Sequence, residues 1–133
     1  MSSLGAAARV MTLLASSSER VGQLALTISR LPNVVRVSHR FEFRAYRSGP
    51  CLEAFVDAEL ASGCARSMWL EVKWSQTAWS LESSLLAVGA DGRQEVVREF
   101  PSVNIVSLEE FEERLSRAIA LLEGSSGYYE EPD

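Results

Sequence analysis

The strongest constraint on the fold is an alternation of apolar with charged or polar residues that begins near residue 34. On the apolar side, the first strand carries Val35, Val37, His39, Phe41, Phe43 and Ala45. On the other side, it carries Arg36, Ser38, Arg40, Glu42 and Arg44. After a turn at 48–50, the second strand has one side that carries Leu52, Ala54, Val56, Ala58 and Leu60. Its other side carries Glu53, Phe55, Asp57 and Glu59. A period of two is typical of half-buried strands, so residues 34–60 predict a long antiparallel hairpin.

Three further strands follow the hairpin. The third ends at Trp74, and its apolar side carries Met68, Leu70, Val72 and Trp74. A weak turn at 75–77 leads to a fourth strand over 79–88. The segment 89–92 has glycine at both ends and is the clearest hairpin turn in the chain. The fifth strand runs from Gln94 to about Phe100, where Pro101 either ends it or places it at a sheet edge.

A helix precedes the strands. Apolar residues that recur every three or four positions predict a helix from Ser3 to about Arg30. The serines at 16–18 offer a possible break, because serine can cap the start of a new helix. Pro32 then ends the helix, since the residue before a proline is pushed toward extended geometry.

A second helix follows the strands. Ser107 and Glu110 fit a capping box, and Val106 with Phe111 fits a hydrophobic staple. The apolar stripe of this helix consists of Phe111, Leu115, Ala118, Ile119 and Leu122. Gly124 ends the helix, and residues 124–133 predict a flexible acidic tail.

The order helix, five strands, helix predicts an α+β fold. Each strand has one apolar face, and two amphipathic helices are available to cover it. We therefore expect a five-stranded antiparallel meander with the N-terminal and C-terminal helices packed on one face, a two-layer sandwich. The chain has 133 residues, which fits one domain over residues 1–123.

The charge pattern narrows the class of partner. The net charge is −5, which argues against nucleic-acid binding because that needs a basic surface. Residues 1–47 hold seven arginines and two glutamates, whereas residues 48–133 hold six basic and sixteen acidic residues. Such asymmetry suits an acidic surface presented to a basic partner. The alternative is that the charges only solvate different faces of one fold.

The N-terminal segment does not resemble a membrane anchor or a signal peptide. The apolar stretch Leu4–Ala15 is too short to span a bilayer and is interrupted by Gly5 and Arg9. No basic residue precedes Arg9, and no convincing cleavage site follows. We therefore expect no membrane partner, and the two cysteines, interpreted as reduced thiols, predict a cytoplasmic location.

Few residues have the type and spacing that are typical of a catalytic, disulfide or metal site. The two cysteines, Cys51 and Cys64, are too few for a disulfide framework and predict reduced thiols, with a single bridge between them as the alternative. His39 is the one histidine, which excludes a His-rich metal site, and its place on the apolar side predicts a buried structural residue. Carboxylates on strands, such as Glu53 and Asp57, resemble acid–base pairs but equally suit a solvated face. No P-loop, nucleophile elbow or C-x-x-C is present. We expect no enzyme, no cofactor and no metal.

Aromatic residues on the charged side of the strands predict a contact surface. Tyr46, Phe55 and Trp69 lie there among arginines and carboxylates, and aromatic residues with arginine form binding hot spots. The candidate partner-binding residues are Arg40, Arg44, Tyr46, Glu53, Phe55, Asp57, Trp69 and Glu71. A loop, the tail at Tyr128 and Tyr129, or a second copy of the chain could cover this patch instead. Monomer and homodimer both remain open.

Three segments resemble the immunity proteins of bacterial polymorphic toxins, in particular the TriTu immunity family. They are Trp69–Trp74, Trp79–Ser84 with the hairpin after it, and the helix start Ser107–Phe111, and the resemblance covers about residues 66–120. The resemblance implies an antiparallel sheet with flanking helices. It also implies a protein that neutralises an ADP-ribosyltransferase toxin acting on elongation factor Tu, by occlusion and without catalytic residues.

Two other classes stay open. Type III secretion chaperones are also small acidic proteins, but they typically carry a helix between strands three and four, for which Ser75–Ala78 is too short. A small-molecule-binding domain would need a concave apolar pocket with a few polar groups.

Overall fold

The computed structural model describes residues 3–47, 49–74 and 78–130. The elements are α1 (Ser3–Ser29), β1 (Val34–Tyr46), β2 (Gly49–Leu60), β3 (Ala65–Trp74), β4 (Trp79–Val88), β5 (Gln94–Ile105), α2 (Leu108–Gly124) and a short 3₁₀ helix (Ser126–Glu130).

The five strands form one antiparallel sheet in the order β1-β2-β3-β4-β5. Strands that are consecutive in the chain are neighbours in the sheet, as expected when short turns connect antiparallel strands. Helix α1 packs on β1 and β2, and α2 packs on β4 and β5, with the two helices also touching each other. The predicted α+β sandwich, with both helices on one side of an open sheet, is confirmed.

The first helix is continuous, so the break considered at residues 16–18 does not occur. Ser17 is buried and lies in the same stripe as Val21 and Ile28, which face the sheet. Ion pairs made by two arginines of α1 tie it to α2. Arg9 meets Glu112 at 2.6 Å and Arg20 meets Glu123 at 2.5 Å.

The apolar side of the first strand is less buried than the alternation predicts. A register shift between Val34 and Arg36 turns Val35 outward, where it is 69% exposed. A bulge adds one residue and flips the alternation locally, which period counting alone does not reveal. His39 is paired with the buried Val56 and lies near Gly22 of α1, yet it is exposed. The prediction of a buried histidine is therefore wrong, because β1 is an edge strand that α1 covers only in part.

The fifth strand continues through Pro101 to Ile105 and forms the other edge. Pro101 lies within a register shift, because Leu81 pairs with Val103 while Ser83 pairs with Phe100. Proline lacks the N–H that a ladder needs, so an edge bulge accommodates it. Of the two placements considered for Pro101, the edge is correct.

The second helix begins as its sequence predicts. The Ser107 hydroxyl accepts a hydrogen bond from the Glu110 N–H at 3.2 Å. The Glu110 carboxylate accepts one from the Val106 N–H at 3.0 Å, one residue before the usual position of the reciprocal bond. Val106 itself is 81% exposed, so the predicted staple does not bury it. The helix ends at Gly124, as expected.

The segment after α2 packs into the core. Tyr129 is fully buried, and its hydroxyl donates a hydrogen bond to the Val56 carbonyl oxygen at 2.7 Å. The Tyr128 hydroxyl donates to the Leu86 carbonyl oxygen at 2.6 Å, and the Asn33 side-chain amide donates to the Tyr129 carbonyl oxygen at 2.7 Å. The sequence predicts a flexible tail from residue 124, whereas residues 126–130 are fixed against the sheet. Residues 131–133 lie outside the described part of the chain.

Candidate functional site: the open sheet face

The sheet face away from the helices carries a transverse row of four glutamates. Strand register pairs Glu42 with Glu53, Glu53 with Glu71, and Glu71 with Glu82. We call these four residues the glutamate row. Directly opposed residues have Cβ atoms about 4.5–5.5 Å apart, and like charges in such pairs repel. The row therefore concentrates negative charge across β1 to β4.

Three cations partly neutralise the glutamate row. Arg44 bridges the first pair, contacting Glu42 and lying 3.6 Å from Glu53. Lys73 bridges the second, at 3.7 Å from Glu71 and 3.5 Å from Glu82. Arg40 adds a 3.4 Å contact with Glu42. These counter-charges offset part of the repulsion, while the two end glutamates remain more than a third exposed.

An aromatic pair lies beside the glutamate row. Phe55 and Trp69 face each other across β2 and β3 and are both half-buried. The Arg40 guanidinium lies 5.2 Å from the centre of the Phe55 ring, a cation–π distance. Trp69 has Ser84 as its neighbour on β4, and Ser84 has Glu99 as its neighbour on β5. This transverse row, Arg40 to Glu99, crosses all five strands.

Most of the predicted partner-binding residues come together on this face. Arg40, Phe55 and Trp69 share one transverse row, Glu53 and Glu71 lie in the next row, and Arg44 lies in the row after that. Asp57 lies in the adjacent row on the opposite side and contacts Ser67, its cross-strand neighbour.

Tyr46 lies away from the other predicted binding residues. Its backbone pairs with Gly49, six residues along β1 from Arg40, which is about 20 Å at the usual rise of a strand. Its side chain lies outside what the structure describes. Tyr128 and Tyr129, considered as a cover for the patch, lie on the helix side of the sheet instead.

Sequence reasoning left out three members of the site. Glu42, Lys73 and Glu82 are part of the charged row but were not among the predicted binding residues. Alternation indicates that each points to the charged face, but it does not indicate which residues of different strands meet. That information lies in the register, which depends on the turn lengths.

A thiol and two carboxylates cluster beside the row. One donor atom each from Cys51, Glu53 and Glu71 lies within 4.8 Å of the others, so these residues could hold a metal ion. Metals take the thiolate, but burial, together with the charges of Glu71 and Glu53, raises the pKa of Cys51 to about 12. The thiol therefore keeps its proton at neutral pH, and Arg44 and Lys73 already supply positive charge to the two carboxylates.

Both cysteines are free. Cys51 is buried near the start of β2, whereas Cys64 lies beyond the opposite end of that strand. Of the two alternatives from the sequence, reduced thiols are correct.

A separate apolar cavity of about 530 Å³ opens on the helix side, where the end of the sheet meets the start of α2. Trp74 and Trp79 line it with ring centres 5.2 Å apart, and Phe43, 52% exposed, stands at its wall. None of its lining residues is charged. The volume lies within the roughly 300–1,000 Å³ common for ligand pockets.

No protein-family model, curated protein sequence or solved structure matches this chain. Within residues 3–47, 49–74 and 78–130, no helix combines the length and apolarity needed to cross a bilayer.

Proposed function

We propose that this chain is a non-catalytic protein-binding domain that uses the open sheet face. The observation that carries the proposal is the aromatic pair Phe55–Trp69, placed beside the glutamate row on a face that neither helix covers. Half-buried aromatics surrounded by charges are the composition of binding hot spots. The charged rim gives orientation and speeds association rather than supplying most of the affinity.

The chemistry of the face indicates a basic partner. The glutamate row leaves Glu42 and Glu82 partly exposed. Glu82 shares Lys73 with Glu71, and Glu42 shares Arg44 with Glu53 while Arg40 also contacts it. A partner that brings arginine or lysine side chains relieves this crowding, whereas an acidic partner increases it. The partner must also present apolar surface to Phe55 and Trp69.

Within this class, we propose an immunity protein that neutralises a cognate antibacterial toxin in the cytoplasm of the producing cell. The resemblance of residues 66–120 to such proteins supports this assignment, and it suggests an ADP-ribosyltransferase as the toxin. The mechanism is steric. The open face covers the toxin's active site, and carboxylates of the glutamate row pair with basic residues that the toxin uses for its substrate or nucleotide.

Co-expression tests the proposal. A candidate toxin domain from the genomic neighbourhood of this gene is induced in a sensitive host with and without this protein. We expect growth to be restored by the wild-type chain and lost with the double variant Phe55→Ala/Trp69→Ala. Val106→Ser is the matched control, because Val106 is 81% exposed but lies away from the open face. Growth arrest despite accumulated wild-type protein contradicts the immunity function, and full rescue by a folded double variant contradicts the binding face.

A secretion chaperone is the alternative protein-binding function. The described strands leave only residues 75–78 between β3 and β4, which is too few for the additional helix of that class. Such chaperones are usually dimers, so a monomer in size-exclusion chromatography counts against this alternative.

The apolar cavity favours a second candidate function, the binding of an uncharged small molecule. Its aromatic walls and lack of charged residues suit an apolar ring system. The fluorescent probe N-phenyl-1-naphthylamine tests this. We expect saturable binding that Leu108→Trp weakens, because Leu108 lines the cavity. Leu121→Trp, on an exposed part of α2, should leave binding unchanged. Equal binding by both variants contradicts the proposal.

A further inference from the structure

A second cavity lies on the open face between Trp69 and the irregular part of β5. It measures about 440 Å³ and is lined by Trp69, Glu82, Ser83, Ser84, Glu99, Phe100, Pro101 and Ser102. It lies where the register shift around Pro101 leaves Glu82 without a paired residue on β5. We call it the Trp69 pocket.

The Trp69 pocket has polar groups that no described residue satisfies fully. Ser84 is only 7% exposed, and its hydroxyl makes no hydrogen bond to any residue that the structure describes. The Ser84 hydroxyl oxygen is not among the fully buried unpaired atoms of the described residues, so it is open to the pocket and can bond to a group that enters it. Glu99, directly opposite Ser84, is exposed and forms no ion pair within the described residues.

The groups in the pocket match one kind of side chain. Carboxylates of Glu82 and Glu99 accept hydrogen bonds, and the hydroxyl of Ser84 can accept a third. The Trp69 ring provides a flat apolar surface for a cation. A guanidinium is planar, carries five donors and stacks on aromatic rings, which a compact ammonium group does less well.

We propose that the Trp69 pocket binds an arginine side chain of the partner protein. This inference rests on the proposed function and makes it more specific, because it names the residue that anchors the partner. The guanidinium stacks on Trp69 and bonds to Glu99 and Ser84. Lys73 competes for Glu82, which it contacts at 3.5 Å, so its charge opposes binding.

NMR titration with N-acetyl-arginine amide tests the inference. The chain has three tryptophans, and only Trp69 lies on the open face, since Trp74 and Trp79 line the apolar cavity. We expect the indole N–H signal of Trp69 to shift in a saturable manner while the other two stay in place. The neutral isostere N-acetyl-citrulline amide should cause no comparable shift.

Two substitutions should change the affinity for arginine in opposite directions. Glu99→Gln should weaken arginine binding about 1.5-fold to fivefold, the range for an exposed ion pair. Lys73→Gln should strengthen it by removing the competing cation. Glu95→Gln, an exposed carboxylate on the same strand, is the matched control and should change nothing. Equal shifts with citrulline, or an unchanged affinity in folded Glu99→Gln, overturn the inference.

The result can be separated from the test of the proposed function. If toxin neutralisation depends on Phe55 and Trp69 but arginine does not bind, the open face is correct and the arginine pocket is wrong. If arginine binds but the toxin is not neutralised, the pocket is correct and the immunity assignment is wrong.

Discussion

The Tyr129 hydroxyl donates a hydrogen bond of 2.7 Å to the carbonyl oxygen of Val56, joining residues that lie 73 positions apart. Val56 lies in β2 between Phe55 and Asp57 of the open face. The C-terminal segment therefore holds, from the helix side, the strand that presents half of the aromatic pair. We therefore expect a change that weakens this hydrogen bond to disturb the open face as well.

Tyr129→Phe should lower the free energy of unfolding by about 1–3 kcal/mol, because it leaves the buried Val56 carbonyl oxygen without this donor. Urea denaturation measures the change. Deleting residues 126–133 should cost more, since it also removes the buried rings of Tyr128 and Tyr129. Deleting only 131–133 is the control. A Tyr129→Phe variant as stable as wild type contradicts the importance of the bond.

Stability should fall at alkaline pH through Tyr129. Burial raises the pKa of Tyr129 above its ordinary value of 10.0, and the nearby Asp57 acts in the same direction. The stabilisation is fully present below pH 10.0, where both folded and unfolded chains keep the phenol protonated. It is lost as pH rises above that value, because the unfolded chain releases the proton more readily. Urea midpoints between pH 8 and 11 should therefore decline less steeply for Tyr129→Phe than for wild type.

Lys73→Met should destabilise the sheet by about 0.5–1 kcal/mol at low salt, because Glu71 and Glu82 lose the cation that bridges them. The effect should shrink in 0.5 M NaCl, where charges are screened. Arg36→Met is the comparison, since Arg36 makes only a long contact with Glu59 at the exposed end of β1. A loss for Lys73→Met that does not depend on salt indicates packing rather than charge.

The two thiols should react at different rates. Ellman's reagent at pH 8 should label Cys64 in the native protein and leave Cys51 unlabelled. Burial raises the pKa of Cys51 to about 12, so little thiolate is present, and the side chain is buried as well. Both thiols should react in 6 M guanidinium chloride. Rapid labelling of the native Cys64→Ser variant contradicts the described environment of Cys51.

Gly49→Ala should destabilise the β1–β2 hairpin by about 1–3 kcal/mol. Gly49 has φ of +128°, and an added Cβ would lie 3.0 Å from the Trp74 carbonyl oxygen. Gly63→Ala shares the positive φ but meets no atom within 4 Å, so it isolates the backbone cost from the clash. Equal losses in thermal unfolding for the two variants would mean that the Trp74 contact contributes nothing.

Much of the fold is predictable from local patterns. Alternation in residues 34–60 and the capping residue Ser107 each act within a few positions, and both indicate the correct element. The errors involve long-range effects. The bulge at Val35 depends on pairing with β2, and the exposure of His39 depends on how far α1 covers the edge.

In the candidate site, too, local patterns indicate some features and long-range pairing decides the others. Aromatic residues on the charged side indicate Phe55 and Trp69, but their direct pairing requires the register of β2 with β3. Tyr46 has the same alternation and a similar composition around it, yet its position along β1 separates it from them. A period of two gives the face of a residue and not its distance from residues of other strands.

The sequence by itself determined the order of elements, the apolar and charged faces of the strands, and the start and end of α2, because these depend on steric and hydrogen-bonding preferences of neighbouring residues. Tertiary structure alone decided the glutamate row, the pocket beside Trp69 and the burial of Tyr129. Each of these depends on residues that are distant in the chain. Their meeting is set by sheet register, by one bulge around Pro101, and by the apolar surface that the C-terminal segment buries.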